Sequence, residues 1–172
     1  GTVGRAPPIA DIAVGVSEIA AKANVIVLSL PDGNSSESVA IQIATANDRC
    51  ASVIIDTSTI GVEAAHTIYD QLSGHLVTYI DAPVSGGIKG ASAGTIALMF
   101  AGQREDFDYL QPLLTTISGN LFYVGSEAGQ GQAMKLLNNF LSGLALTATS
   151  EAISFGVRHG LNMETMIDVL NA

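Results

Sequence analysis

The sequence predicts an α/β chain: an open parallel sheet with helices between its strands, then a long helix leading into an all-α region. Three observations carry that prediction. Short, almost unbroken apolar runs recur at 25–30, 52–56 and 77–81, and runs of that length suit strands buried on both faces of a sheet. Amphipathic helical patterns at 9–23, 37–47 and 61–73 alternate with them, and that alternation means right-handed βαβ crossovers. From Gly129 onward the texture changes to a long, mostly apolar helical pattern with few charges.

Each element has its own signal. The first run, VIVLSL, stops at Pro31, Asp32 and Gly33, which break a strand. The second ends at Asp56 and the third at Asp81, both followed by turn-forming residues. Residues 95–101 and 121–124 read as two further strands around a helix at 105–118. The stretch 132–156 is long enough to compete with a membrane span. Lys135, Asn138, Asn139, Ser142, Ser150 and Glu151 lie inside it, so a helix buried between protein layers is the expectation. After Gly160 a new helix begins, with Asn162 as its N-cap and Glu164 in its first turn. The loop-like 126–131 sets the expected boundary, dividing the chain into 1–128 and 129–172.

Composition limits the classes of partner. Seven Lys plus Arg against 16 Asp plus Glu leave a net charge of −9 over 172 residues. That balance excludes nucleic acid and anionic membrane surfaces as expected partners, since both need a basic footprint. With 48% hydrophobic and 13% charged residues the chain is not a disordered one. A single cysteine, Cys50, makes no internal disulfide. The chain begins at Gly1 and stops at Ala172 within a helical pattern, so an excerpt of a longer polypeptide is expected.

Two segments stand out for chemistry. Residues 81–87, DAPVSGG, place Ser85, Gly86 and Gly87 after a strand. A hydroxyl and exposed backbone N–H groups there suit a carboxylate; a tight turn that needs glycine is the equal alternative. Residues 131–139, GQAMKLLNN, put Lys135 and Asn139 four residues apart, on one helix face. Apolar neighbours surround Lys135, and desolvation lowers a lysine's pKa toward the range useful for proton transfer. A lysine whose stem packs while its ammonium reaches water is the commoner arrangement. Leu30, Pro31 and residues 56–59 sit at other strand ends, as crevice lining or ordinary turns. His66, His75 and His159 lack metal-ligand spacing, so no metal site is expected. The four methionines read as core filler. No G-x-G-x-x-G or P-loop sequence occurs in the 172 residues.

Taken in order, D-A-P-V-S-G-G at 81–87, G-T at 94–95 and K-L-L-N-N at 135–139 resemble the β-hydroxyacid dehydrogenase family. That family includes 3-hydroxyisobutyrate dehydrogenase, 2-hydroxy-3-oxopropionate reductase and the related 6-phosphogluconate dehydrogenases; the similarity runs from about Val25 to the last residue. The resemblance implies a partial Rossmann-like domain whose glycine-loop unit is absent, then the linking helix and the start of a helical domain. It implies an oxidoreductase using NAD or NADP to interconvert a small β-hydroxyacid and its semialdehyde. Lys135 matches the catalytic lysine. Ser85, Gly86 and Gly87 match the segment holding the substrate carboxylate, and Asn139 the asparagine beside the lysine. Leu30, Pro31 and Thr59 match residues flanking the dinucleotide, and Ser35 lies where some members have a cofactor-contacting asparagine.

Further expectations follow from the resemblance, the acidic charge balance and the lone cysteine together. They are a homo-oligomer formed through the helical part, no nucleic-acid or membrane partner, and a cytoplasmic location with the mitochondrion as alternative. The excerpt alone is expected not to turn over. Competing expectations are a non-catalytic carboxylate-binding module and an interaction module built on the long helix.

Overall fold

The computed structural model describes residues 11–172, in two compact units that divide between Lys135 and Leu136. In the first, α1 (Val16–Lys22), β1 (Val25–Leu28), α2 (Gly33–Ala44), β2 (Val53–Asp56), α3 (Val62–Leu72) and β3 (Thr78–Asp81) alternate as expected. Strands β1, β2 and β3 are parallel neighbours, in register from Val25 opposite Val53 and Val53 opposite Thr78. A short reversal follows: β4 (Val84–Ser85), α4 (Gly87–Ala93), β5 (Ala97–Ala101), α5 (Arg104–Ile117) and β6 (Asn120–Gly125). Strand β5 runs antiparallel to β3 and β4 and parallel to β6, so the sheet is parallel on one side and mixed on the other.

The continuous apolar runs of β2 and β3 arise because both strands are covered on both faces, whereas β1 leaves Val27 exposed. Ile54 and Ile55 are adjacent, point to opposite faces and are both wholly buried. Ile54 joins Ala40, Ile43, Ala65, Ile68 and Leu72 under α2 and α3. Ile55 joins Ile80, Leu98, Phe100, Phe107 and Leu114 under α5.

Several boundaries differ from the sequence expectation, each for a local reason. Of the helix expected at 9–23, residues 9 and 10 lie outside the described residues. The described helix starts only at Val16, because the Glu18 carboxylate accepts a hydrogen bond from Val14 N (2.7 Å) and closes the start there. Helix α2 begins four residues before the expected 37, because the Asp32 carboxylate caps Ser35 N at 2.8 Å. Helix α4, rich in Gly and Ala, has too little hydrophobic patterning to be legible.

Helix α6 (Gln130–Arg158) contributes residues 130–135 to the first unit and the rest to the second. The expectation of a helix buried between layers does not hold for its later part: residues 139–152 are exposed, with no second layer over them among the described residues. It is the one described helix long and apolar enough to cross a membrane. Its first turn, however, is docked on the sheet domain through the buried Gly131 and Gln132. The second unit ends with α7 (Met163–Leu170), whose N-cap Asn162 accepts from Thr165 N at 3.1 Å. Gly156 lets α7 approach: a Cβ there would collide with Met166 Sδ. Met99 is buried as expected, whereas Met134 and Met163 are exposed.

Candidate active site at the carboxyl ends of the strands

Strands β1, β2 and β3 end side by side, and their last residues lead into the loops that matter. Two carboxylates close the central strands: Asp56 and Asp81 are register partners, and both are completely buried. Asp56 Oδ1 accepts from Ser58 N at 2.9 Å, and Asp56 Oδ2 from Tyr79 Oη at 3.4 Å. Burial, reinforced by the charges of Asp56 and Asp81, pushes the Tyr79 phenol far above its usual range. Burial also raises the Asp81 carboxyl, against hydrogen bonds from Gln132 and Gly129 that favour its charge.

Those hydrogen bonds dock α6. Asp81 Oδ2 accepts from Gly129 N (2.9 Å) and Gln132 N (3.0 Å), both at the helix start. Asp81 Oδ1 accepts from Gln132 Nε2 at 2.7 Å. The approach is close enough to demand glycine at 131, where a Cβ would stand 2.7 Å from the Asp81 carbonyl oxygen. Gly129 turns the chain into the helix at φ +89°.

Lys135 lies one turn further along this anchored segment, only 9% exposed. Burial lowers its pKa from the ordinary lysine value. The ion pairs among the described residues are Lys22–Glu18 and Arg104–Asp108, so no carboxylate neutralises Lys135. Asn139 follows four residues later on α6, in the second unit, and is exposed.

The segment after β3 makes a tight turn. Gly86 has φ +132° and Gly87 φ +60°, conformations that L side chains rarely adopt. A Cβ on Gly86 would also press on the Ile96 backbone at 3.2 Å. The turn reading and the anion-holding reading are therefore compatible: glycine is required, and it leaves Gly86 and Gly87 exposed beside the half-buried Ser85.

The structure joins the loops after β1 and β2. Leu30 N donates to Ser58 Oγ at 2.8 Å, and Thr57 Oγ1 to the Leu28 carbonyl at 2.6 Å. Pro31 and Thr59 are exposed beside this link, while Leu30 is half-buried. Ser35 is half-buried in the first turn of α2, its N–H held by Asp32. The sequence shows Ser58, Gln132, Asp56 and Asp81 only as parts of motifs, with no role of their own. The available signal was an acid closing each of two apolar strands, VIID and TYID. A cavity of about 300 Å³ lined by Tyr69, Ser73, Thr78, Tyr79 and Gln103 lies toward the amino end of β3 and holds neither Lys135 nor Ser85, Gly86 and Gly87. Among the described residues no His, Cys, Asp and Glu cluster could hold a metal ion.

Comparison with known proteins bears on this arrangement. Residues 4–125 match the family model described as the NAD binding domain of 6-phosphogluconate dehydrogenase. Residues 129–172 match that described as the NAD-binding domain of NADP-dependent 3-hydroxyisobutyrate dehydrogenase. The 2-(hydroxymethyl)glutarate dehydrogenase of Eubacterium barkeri is 34% identical over 155 residues, which is 89% of this chain and 51% of that protein. The 3-hydroxyisobutyrate dehydrogenase of Pseudomonas aeruginosa is 35% identical over 150 residues, 86% of this chain and 50% of that one. Among solved structures, Mycobacterium tuberculosis 3-hydroxyisobutyrate dehydrogenase with L-serine superposes with a TM-score of 0.84 at 33% identity, covering 92% of this chain and 54% of that one. The chain thus spans about half the length of the curated relatives it matches.

Proposed function

The chain belongs to the β-hydroxyacid dehydrogenase family, and on that footing we propose that the protein interconverts a small β-hydroxyacid and its semialdehyde, using NAD or NADP and a lysine as general acid and base. The observation that carries the proposal is Lys135: a buried lysine of lowered pKa, with no ion pair among the described residues, one turn into a helix docked on the strand ends.

Leu30, Pro31, Ser35 and Thr59 fit a dinucleotide. The loops after β1 and β2 are tied together by the Leu30–Ser58 hydrogen bond, and Pro31 and Thr59 stay exposed beside it. They offer an apolar surface and a hydroxyl at the carboxyl ends of parallel strands, where ligands of such sheets bind. When bound, the nicotinamide supplies a hydride acceptor for oxidation and a hydride donor for reduction.

The chain's own residues supply the rest. In oxidation, neutral Lys135 takes the proton from the substrate hydroxyl at Nζ, so that the carbon–oxygen double bond forms as the hydride leaves. In reduction its ammonium returns that proton to the carbonyl oxygen. Ser85 and the N–H groups of Gly86 and Gly87 hold the substrate carboxylate, which fixes the reacting carbon. Asn139 holds the substrate beside the lysine.

In this reading 1–128 is the C-terminal part of the dinucleotide-binding domain, and 129–172 the linking helix and start of the helical domain. The helical part forms the contact between copies in a homo-oligomer, and the cytoplasm is the proposed location. The relatives are named as dehydrogenases, which does not favour a non-catalytic binding or interaction module. The test is an assay of the whole protein with NAD and NADP against a panel of small β-hydroxyacids and other alcohols. Turnover confined to β-hydroxyacids supports the proposal; dinucleotide binding without turnover of any of them overturns it.

A further inference from the structure

We infer that Gln132 is a positioning residue, whose side-chain amide locks the lysine-bearing helix to the loops at the ends of β2 and β3 and so fixes where Lys135 Nζ meets substrate. The inference rests on the catalytic role proposed for Lys135. Gln132 is completely buried, and its amide is used to capacity. Oε1 accepts from Ile60 N at 2.9 Å and Gly61 N at 3.1 Å. Nε2 donates to the Ser58 carbonyl at 3.1 Å and to Asp81 Oδ1 at 2.7 Å. A carbonyl oxygen with two lone pairs and an amino group with two protons can do no more. No other side chain presents two acceptor sites and two donors in one plane at that reach.

The network extends to the cofactor side. Ser58, which receives one Gln132 bond, itself accepts from Leu30 N through Oγ. The amide therefore connects the loop after β2 directly, and the loop after β1 through one more hydrogen bond, to the helix that carries the lysine. Lys135 follows Gln132 by three residues and shares its side of the helix. Because no ion pair holds the Lys135 ammonium among the described residues, the anchoring of its root sets its placement. A hydrophobic residue at 132 would fill the space but take their Gln132 partner from two backbone N–H groups, the Ser58 carbonyl and one oxygen of Asp81.

The experiment compares Gln132→Glu and Gln132→Met in the whole protein, reading kcat and KM for semialdehyde reduction, dinucleotide affinity by fluorescence titration, and thermal stability. Gln132→Glu keeps the acceptor for Ile60 and Gly61 but sets a second carboxyl against Asp81. A displacement near 1 Å costs on the order of 10²-fold in rate, so kcat is expected to fall by about that factor near neutral pH. Dinucleotide affinity is expected to stay within about threefold, the loss lying in the chemical step. Acidification restores rate to Gln132→Glu, because two facing carboxyls share a proton and regain the missing donor, whereas Gln132→Met shows no such recovery. Reduction is the informative direction, since protonated Lys135 is its acid.

Parental kcat in both variants overturns the inference. So does a loss of rate that tracks melting and dinucleotide affinity with no acid recovery, which marks a structural role only. Lys135→Ala run alongside separates the two claims. Turnover surviving in it removes the catalytic reading and this inference together. An inactive Lys135→Ala beside unaffected Gln132 variants removes the inference alone.

Discussion

Replacing Gly131 by alanine drives a methyl group into the anchor of the lysine helix. The new Cβ would lie 2.7 Å from the Asp81 carbonyl oxygen, 2.8 Å from its Oδ2 and 2.9 Å from its Cγ. Carbon contacts are comfortable only from about 3.5 Å, so the first turn of α6 must retreat by roughly 0.7 Å. Neither neighbour can yield: one is strand backbone, and the other is held by Gly129 N, Gln132 N and Gln132 Nε2. Overpacking of this kind costs about 1–3 kcal/mol. Alanine's better helix propensity returns at most about 1 kcal/mol, so the net loss lies between about 0 and 3 kcal/mol, in the upper part of that range because neither neighbour yields. At the size of this chain each kcal/mol lowers the melting midpoint by about 2–4 °C. Urea unfolding measures the loss directly, and kcat for the same variant falls because Lys135 moves with the helix. A Gly131→Ala protein within about 0.5 kcal/mol of the parent, with unchanged kcat, would refute the docking account, since surface substitutions change stability by no more than that.

Other predictions concern the turn and the lysine. Gly86→Ala imposes a side chain at φ +132° against Ile96; it is expected to cost about 1–3 kcal/mol and to raise KM for a carboxylate substrate far more than for the dinucleotide, as steady-state kinetics will read. Lys135 has a lowered pKa, so its neutral form appears at lower pH than for a free lysine. Oxidation, which needs the neutral amine, therefore rises with pH along a limb centred below about 10.4, and reduction falls along the same limb. A pH–rate limb at or above the free-lysine value in both directions contradicts the desolvation argument. Gln132→Glu, as set out above, is expected to regain reductase activity on acidification.

How much of this was legible in the sequence depended on whether the cause was local. Strands β2 and β3 were legible because burial on both faces leaves an apolar run that nothing else explains, and β1 was legible as an apolar run although its Val27 stays exposed. The N-cap at Asn162 was legible for the same reason: its partner, Thr165 N, is three residues away. Helix α2 was placed too late because its first turn, with Gly33, Asn34, Ser35 and Ser36, is polar, and the cap at Asp32 precedes any apolar pattern. The reversal of β5 depended on the short α4, whose sequence GIKGASA carries no amphipathic signal. Gln132 was invisible because a glutamine in a helix is unremarkable until α6 meets Ser58 and Asp81, many residues away in the chain. The resemblance supplied Lys135 and Ser85–Gly87, and the geometry added what holds the lysine in place.

The most direct test of the account is hydride transfer by Lys135→Ala in the whole protein, followed in a single turnover with the dinucleotide affinity measured on the same sample. The account predicts that transfer is lost, on the order of 10²–10⁴-fold as for removal of a general acid or base, while the dinucleotide binds as it does to the parent. Transfer at a near-parental rate, with binding intact, would contradict it.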